Sequence, residues 1–133
     1  MDKLKVCIGS NHGINIAQTH MGDTKFFYIY EIFRNSDYFF IDKRINTAID
    51  MDHSNEDKMK SILSIVDDVD ILVAEKLSPN FKKIAKTTKY QPIVIKTESI
   101  EDGINIICKN FDEIYTQIQN KKSGFINQTI LQY

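Results

Sequence analysis

Phe26-Phe27-Tyr28-Ile29-Tyr30-Glu31-Ile32-Phe33 and Tyr38-Phe39-Phe40-Ile41-Asp42-Lys43 flank the polar tetrapeptide Arg34-Asn35-Ser36-Asp37. Aromatic and β-branched side chains favour a pleated backbone, and a short polar break between two such runs reverses the chain. The stretch therefore reads as a hairpin. Both strands carry apolar residues on each face, which predicts a sheet covered on both sides. Ahead of the hairpin, Leu4 to Gly9 is a short β-rich run ending at a glycine and supplies a first strand. Behind it, Asp70-Ile71-Leu72-Val73-Ala74 and Pro92-Ile93-Val94-Ile95-Lys96 read as buried strands.

Helical spacing fills the intervals. Met59, Ile62, Leu63 and Val66 recur at helical period behind Ser54-Asn55-Glu56-Asp57, a capping-box pattern, and predict a helix over about 54–67. Pro79 suits the first turn of a short helix through Phe81, Ile84 and Ala85. After a second cap at Ser99, the residues Ile100, Ile104, Ile107, Phe111, Ile114 and Ile118 step by four and three, which predicts one helix of about five turns. The order β-β-β-α-β-α-β-α gives an α/β fold: a mixed five-stranded sheet with helices on both faces, antiparallel in the hairpin and parallel where strands alternate with helices. Val6, Ile8, Ile71, Val73, Ile93 and Ile95 are expected in the central strands, with Ile104, Ile107 and Phe111 packed on them. One domain is expected over residues 1–120. The tail, 121–133, offers an added edge strand.

Composition narrows the function classes. Hydrophobic residues make up 42% and charged residues 26% of 133 residues, a globular balance. With 17 basic against 18 acidic residues the net charge is -1, so no global field recruits nucleic acid or an anionic membrane. The N-terminus is too short and too charged for a signal peptide, and no apolar run approaches the roughly 20 residues of a membrane span. The expectation is a soluble, cytoplasmic protein.

Between the first strand and the hairpin lie roughly 16 polar residues with two glycines and two histidines, long enough to be a functional loop. His12 and His20 sit in this loop, and His53 just before the first helix. Loops at strand ends gather into the binding crevice of α/β sheets, so the three histidines are candidate metal ligands. They have no diagnostic spacing, and ordinary solvated histidines are the plainer reading of the residues alone. Cys7 and Cys108 lie on apolar stripes and are expected to pack in the core. Asp67-Asp68-Val69-Asp70 is expected to end a helix and turn the chain, and the basic run 82–89 to form the wet face of a helix. No glycine-rich phosphate loop, zinc-protease motif or nucleophile elbow is present.

His20-Met21-Gly22-Asp23-Thr24-Lys25-Phe26-Phe27-Tyr28-Ile29-Tyr30-Glu31-Ile32 resembles the His-Phe-Gly-x-x-x-x-Phe-x-x-Tyr pattern of the dinitrogenase iron–molybdenum cofactor biosynthesis family. The strand Lys5 to Ser10, the turn Asn11-His12-Gly13, His53, the strand Asp68 to Ala74 and the helix start at Ser99 follow in matching order, so the resemblance spans about residues 4–118. It implies a ribonuclease-H-like fold that is not an enzyme. The nucleases of that fold want an acid in the middle of the first strand, where this chain has Val6, Cys7 and Ile8. The resemblance further implies a carrier that transiently binds iron–molybdenum cofactor, or a related iron–sulfur or molybdenum–sulfur cluster, in nitrogen-fixation-related assembly. The cargo would pass between a cluster donor and an acceptor protein, and the carrier would be a monomer or weak homodimer. His20, Gly22 and His53 are the implied cofactor-binding residues; His20 and His53 are the implied metal ligands, and His12, which has no family counterpart, joins them from the loop reading alone. Met21, Val69 and Ser78 stand where the family more often has Phe, Cys and an Ile-Gly turn. These departures favour an alternative, a cluster-free interaction or regulatory module on the same fold.

Overall fold

Strand β1 (Lys3–Ser10) is buried on both faces: Val6, Cys7 and Ile8 are all inaccessible to solvent. The computed structural model describes residues 2–52, 56–124 and 130–133. β1 is followed by a single 3-10 turn (Met21–Asp23), then β2 (Phe26–Phe33), β3 (Tyr38–Ile45), α1 (Glu56–Ile65) and β4 (Ile71–Ala74). The second half runs α2 (Pro79–Thr87), β5 (Gln91–Val94), α3 (Ile100–Lys109), α4 (Phe111–Lys122) and β6 (Leu131–Gln132). They form a mixed six-stranded sheet in the order β3-β2-β1-β4-β5-β6. β1 pairs antiparallel with β2 and parallel with β4, so the sense of the sheet changes at β1.

Strand alternation sorts the core into two layers. Leu4, Val6, Ile8, Ile71, Val73, Ile93 and Ile95 point to one face and pack with Ile104, Ile107, Phe111, Ile114 and Ile118 of α3 and α4. Cys7, Phe27, Ile29, Leu72, Ala74 and Val94 point to the other, against Ile62, Val66, Phe81 and Ile84 around α1 and α2. The expected central-strand residues and their helical partners all fall in the first of these layers.

Four expectations are corrected. The sheet has six strands rather than five, because the tail closes as β6: Leu131 is buried, Tyr133 N–H donates to Val94 O at 2.9 Å and Lys96 N–H to Tyr133 O at 3.0 Å. The long third helix is two helices. At Asn110 the backbone opens to φ -111, ψ 20, and the Asn110 Nδ2 donates to Ile106 O at 2.9 Å, a side-chain bond that competes with helix continuation. The apolar stripe runs across the break in phase, so periodicity alone does not reveal it. The hairpin is not covered on both sides: β2 is buried or half-buried throughout, whereas β3 is exposed along nearly its whole length. Cys108 is half-buried at the edge of the α3–α4 layer rather than deep in it.

Capping chemistry sets the helix starts. Ser78 accepts from Phe81 N–H at 3.1 Å with Pro79 in the first turn, and Ser99 accepts from Asp102 N–H at 3.0 Å. The expected cap at Ser54, with Asn55 and His53, lies outside the described residues. The hairpin turn is tied to α4 through Arg34, which bonds Asp2 and Asp112 and lies over the rings of Phe111 and Tyr115. Arg44 of β3 reaches the end of α1, donating to both Asp68 oxygens at 2.6 and 3.0 Å.

Two stability outcomes are expected. Ile107→Ala deletes a fully buried side chain from the layer under α3 and should cost about 2–5 kcal/mol, read as a lower urea midpoint with unchanged slope. The Arg44 guanidinium bonded to Asp68 holds that carboxyl well below the usual carboxylate range. A depressed folded value means the stabilisation is present above the ordinary carboxylate pKa, roughly 3.9, and is lost as pH falls through the lower folded value. Asp68→Asn should therefore lower stability at neutral pH by about 1 kcal/mol or less, the pair being partly solvent-screened, and the difference should shrink as unfolding is measured at more acid pH.

Candidate functional site

The loop between β1 and β2 is built on its own polar groups. Ser10, fully buried at the end of β1, donates from Oγ to Asn15 O at 2.6 Å and accepts from Gly13 N–H at 2.9 Å. Gly13 has φ +86, and a Cβ there would lie 2.9 Å from the Tyr28 ring, so both backbone and space demand glycine. His12 beside it is exposed, and its Nδ1 accepts from Ile14 N–H at 3.2 Å.

Farther along, the chain turns back over the α1–α2 face and forms the wall of a cleft. The cleft lies between the 3-10 turn, α1 and the start of α2. His20, Met21, Gly22 and Asp23 line one side, Lys58, Met59 and Ile62 the second, and Ser78, Asn80 and Phe81 the third. Its internal volume is about 50 Å³. His20 is half-buried at the head of the turn, and Met21 is buried under it. A Cβ on Gly22 would come within 3.2 Å of Ile62 Cδ1, so glycine here lets the turn approach α1 closely.

Lys58 is the feature that the sequence reading missed. Its side chain is only 4% exposed, and its ammonium group makes three bonds: to Asp23 Oδ1 at 2.8 Å, Met51 O at 2.9 Å and Ile49 O at 3.3 Å. Three donors meet three acceptors, which is the condition for burying a charge. The signal was there: Lys58, Ile62 and Val66 stand four residues apart on the apolar stripe of α1. Asn46, also buried, donates from Nδ2 to Gly22 O and Thr24 O, both at 2.9 Å, and fixes the turn from below.

The expected site residues are thus divided. His20 and Gly22 line one cleft, His12 is not among its lining residues, and His53 lies outside the described residues. Burial pushes the Cys7 thiol up, so it stays protonated in the core beneath the cleft, and Cys108 belongs to the opposite layer. Among the described residues, no group of three or more His, Cys, Asp or Glu is placed to hold a metal ion. The three departures from the family pattern have structural roles: Met21 and Val69 are buried in the α1–α2 layer, and Ser78 caps α2.

Comparison with known proteins adds one positive finding. A family model described as dinitrogenase iron-molybdenum cofactor matches residues 2–110, which contain the whole cleft. No curated protein matches the chain.

The Lys58–Asp23 pair yields an asymmetric mutational outcome. Asp23→Asn leaves the buried ammonium without its counter-charge and should cost about 1–3 kcal/mol. Lys58→Met removes the charge with little loss of volume and should cost less, and the double variant should be no worse than Lys58→Met alone. Urea unfolding of the three variants checks this, and an Asp23→Asn midpoint equal to wild type would show that the pair contributes nothing.

Proposed function

This chain belongs to the dinitrogenase iron–molybdenum cofactor family, and from that premise we propose that it is a non-catalytic carrier of a metal–sulfur cluster. The cargo is a cluster of the iron–molybdenum type or its precursor, passed in the cytoplasm from a donor to an acceptor protein. The observation that carries the reading is His20: a half-buried imidazole in the family's histidine position that lines the cleft between the 3-10 turn, α1 and α2. A ribonuclease-H-like fold is part of the same proposal, and the antiparallel β1–β2–β3 meander joined through β1 to parallel β4 and β5 supports it.

The donor set suits cargo better than a permanent cofactor. The cleft holds only about 50 Å³ of internal space, so a multi-metal cluster would rest at its opening rather than inside. Lys58 spends its three donors within the protein, and Cys7 offers no thiolate. One imidazole with soft, apolar surroundings would anchor a cluster and still release it. A second reading, an interaction module without a cluster, is favoured by the exposed aromatic strand β3.

Anaerobic titration with an iron–sulfur cluster tests the proposal. Wild type should bind, and His20→Ala should weaken binding roughly tenfold or more. His12→Ala should have the smaller effect. Equal binding by wild type and His20→Ala would overturn the assignment.

A further inference from the structure

β3 forms one edge of the sheet, and its outer side has no strand partner among the described residues. It is eight residues long. Its centre is apolar and wet: Phe39 is 55% and Phe40 54% exposed, with Tyr38, Ile41 and Ile45 exposed beside them. An edge of this kind is a template for another strand, and a contiguous apolar patch marks an interaction surface. We infer that β3 is the seam of a homodimer, in which two copies pair antiparallel about a two-fold axis between Phe40 and Ile41.

Charge identifies the occupant. Asp37 precedes the apolar run, and Asp42, Lys43 and Arg44 follow it, the acid Asp42 being bonded to Arg44 within its own strand. Antiparallel self-pairing sets the acid of each copy against the bases of the other, twice per dimer. Parallel pairing would set like charge against like. Arg44 is held by Asp42 and Asp68 on the α1 side of the sheet, and Lys43 beside it is exposed.

The bulge constrains the register. Residues opposite each other in an antiparallel pair must point to the same face. Tyr38 and Phe40 stand opposite Ile32 and Tyr30, on the α3–α4 face, and Phe39 opposite Glu31, on the α1–α2 face. Ile41 is the extra residue, and past it the alternation is reversed: Asp42 stands opposite Ile29 and Lys43 opposite Tyr28. Tyr38 and Lys43 therefore share one face, and Phe39 and Asp42 the other. Registers that pair residues before the bulge with residues after it respect this, and the one among them that sets Asp37 opposite Arg44 also sets Tyr38 opposite Lys43, Phe39 opposite Asp42, and Phe40 beside Ile41 at the axis. In a strand without the bulge, each of these pairs would point to opposite faces.

Sedimentation equilibrium on the full chain, without any cluster, tests the seam separately from the carrier function. Wild type should show a reversible monomer–dimer equilibrium between micromolar and millimolar protein. Asp37→Lys, which loses only a local bond to Asn35, should raise the dissociation constant roughly tenfold, since both ends of the seam then face like charge. Phe40→Lys should abolish the dimer, with circular dichroism confirming that the monomer is folded. Mixing Asp37→Lys with Lys43→Glu should restore a heterodimer tighter than the Asp37→Lys homodimer. A wild type that stays monomeric at millimolar concentration would assign the edge to a different protein and overturn the inference. So would a dimer that neither Asp37→Lys nor Phe40→Lys weakens.

Discussion

The double-sided burial of β1 is the constraint on which the remaining structure depends. A strand with Val6, Cys7 and Ile8 all inaccessible must have a layer on each face, and its two edges must both be paired. The aromatic meander supplies one edge and β4 the other. α1 and α2 then cover the odd-numbered side chains of β1, and α3 and α4 the even-numbered ones. An acid in the middle of this strand would be buried on one face or the other, at a cost that only a paired cation or metal could offset. In this chain the centre of the strand holds Val6, Cys7 and Ile8 instead.

Where local pattern and tertiary environment agree, the fold was legible in the sequence. The alternation in Val6, Ile8, Ile71 and Val73, the first-turn proline Pro79, the cap at Ser99, and the stripe from Ile100 to Ile118 all correspond to observed elements. What stayed hidden depends on information that no local window contains. The break at Asn110 keeps the stripe in phase. The exposure of β3 is a matter of tertiary packing, not of Phe39 or Phe40 themselves. β6 is only two residues long and makes sense only beside β5.

The candidate site was legible in part. The long polar loop pointed to His12 and His20 alike, and it was the resemblance of His20-Met21-Gly22 to a family pattern that singled out His20 and Gly22. Lys58 and Asn46 did not stand out, because a lysine near a helix start and an asparagine between elements look like surface. Their burial is meaningful only once Asp23, Met51 O and Gly22 O are seen around them. Together they make the turn that bears His20 a rigid shelf, supported from α1 by an ion pair and from below by an amide.

The junction of β1 with β4 also has a bearing on how the chain reaches this structure. The meander of β1, β2 and β3 is assembled within residues 3–45, from strands closer in the chain than β1 and β4 are. The bond from Lys5 N–H to Asp70 at the start of the parallel half joins residues 65 positions apart. The entropy of closing a loop rises with its length and is lost before the contacts repay it. The aromatic meander is thus the part of the molecule able to order first. Until β4 arrives, the second edge of β1 stands open, and the seam between the two halves of the sheet carries a larger closure cost than the meander does.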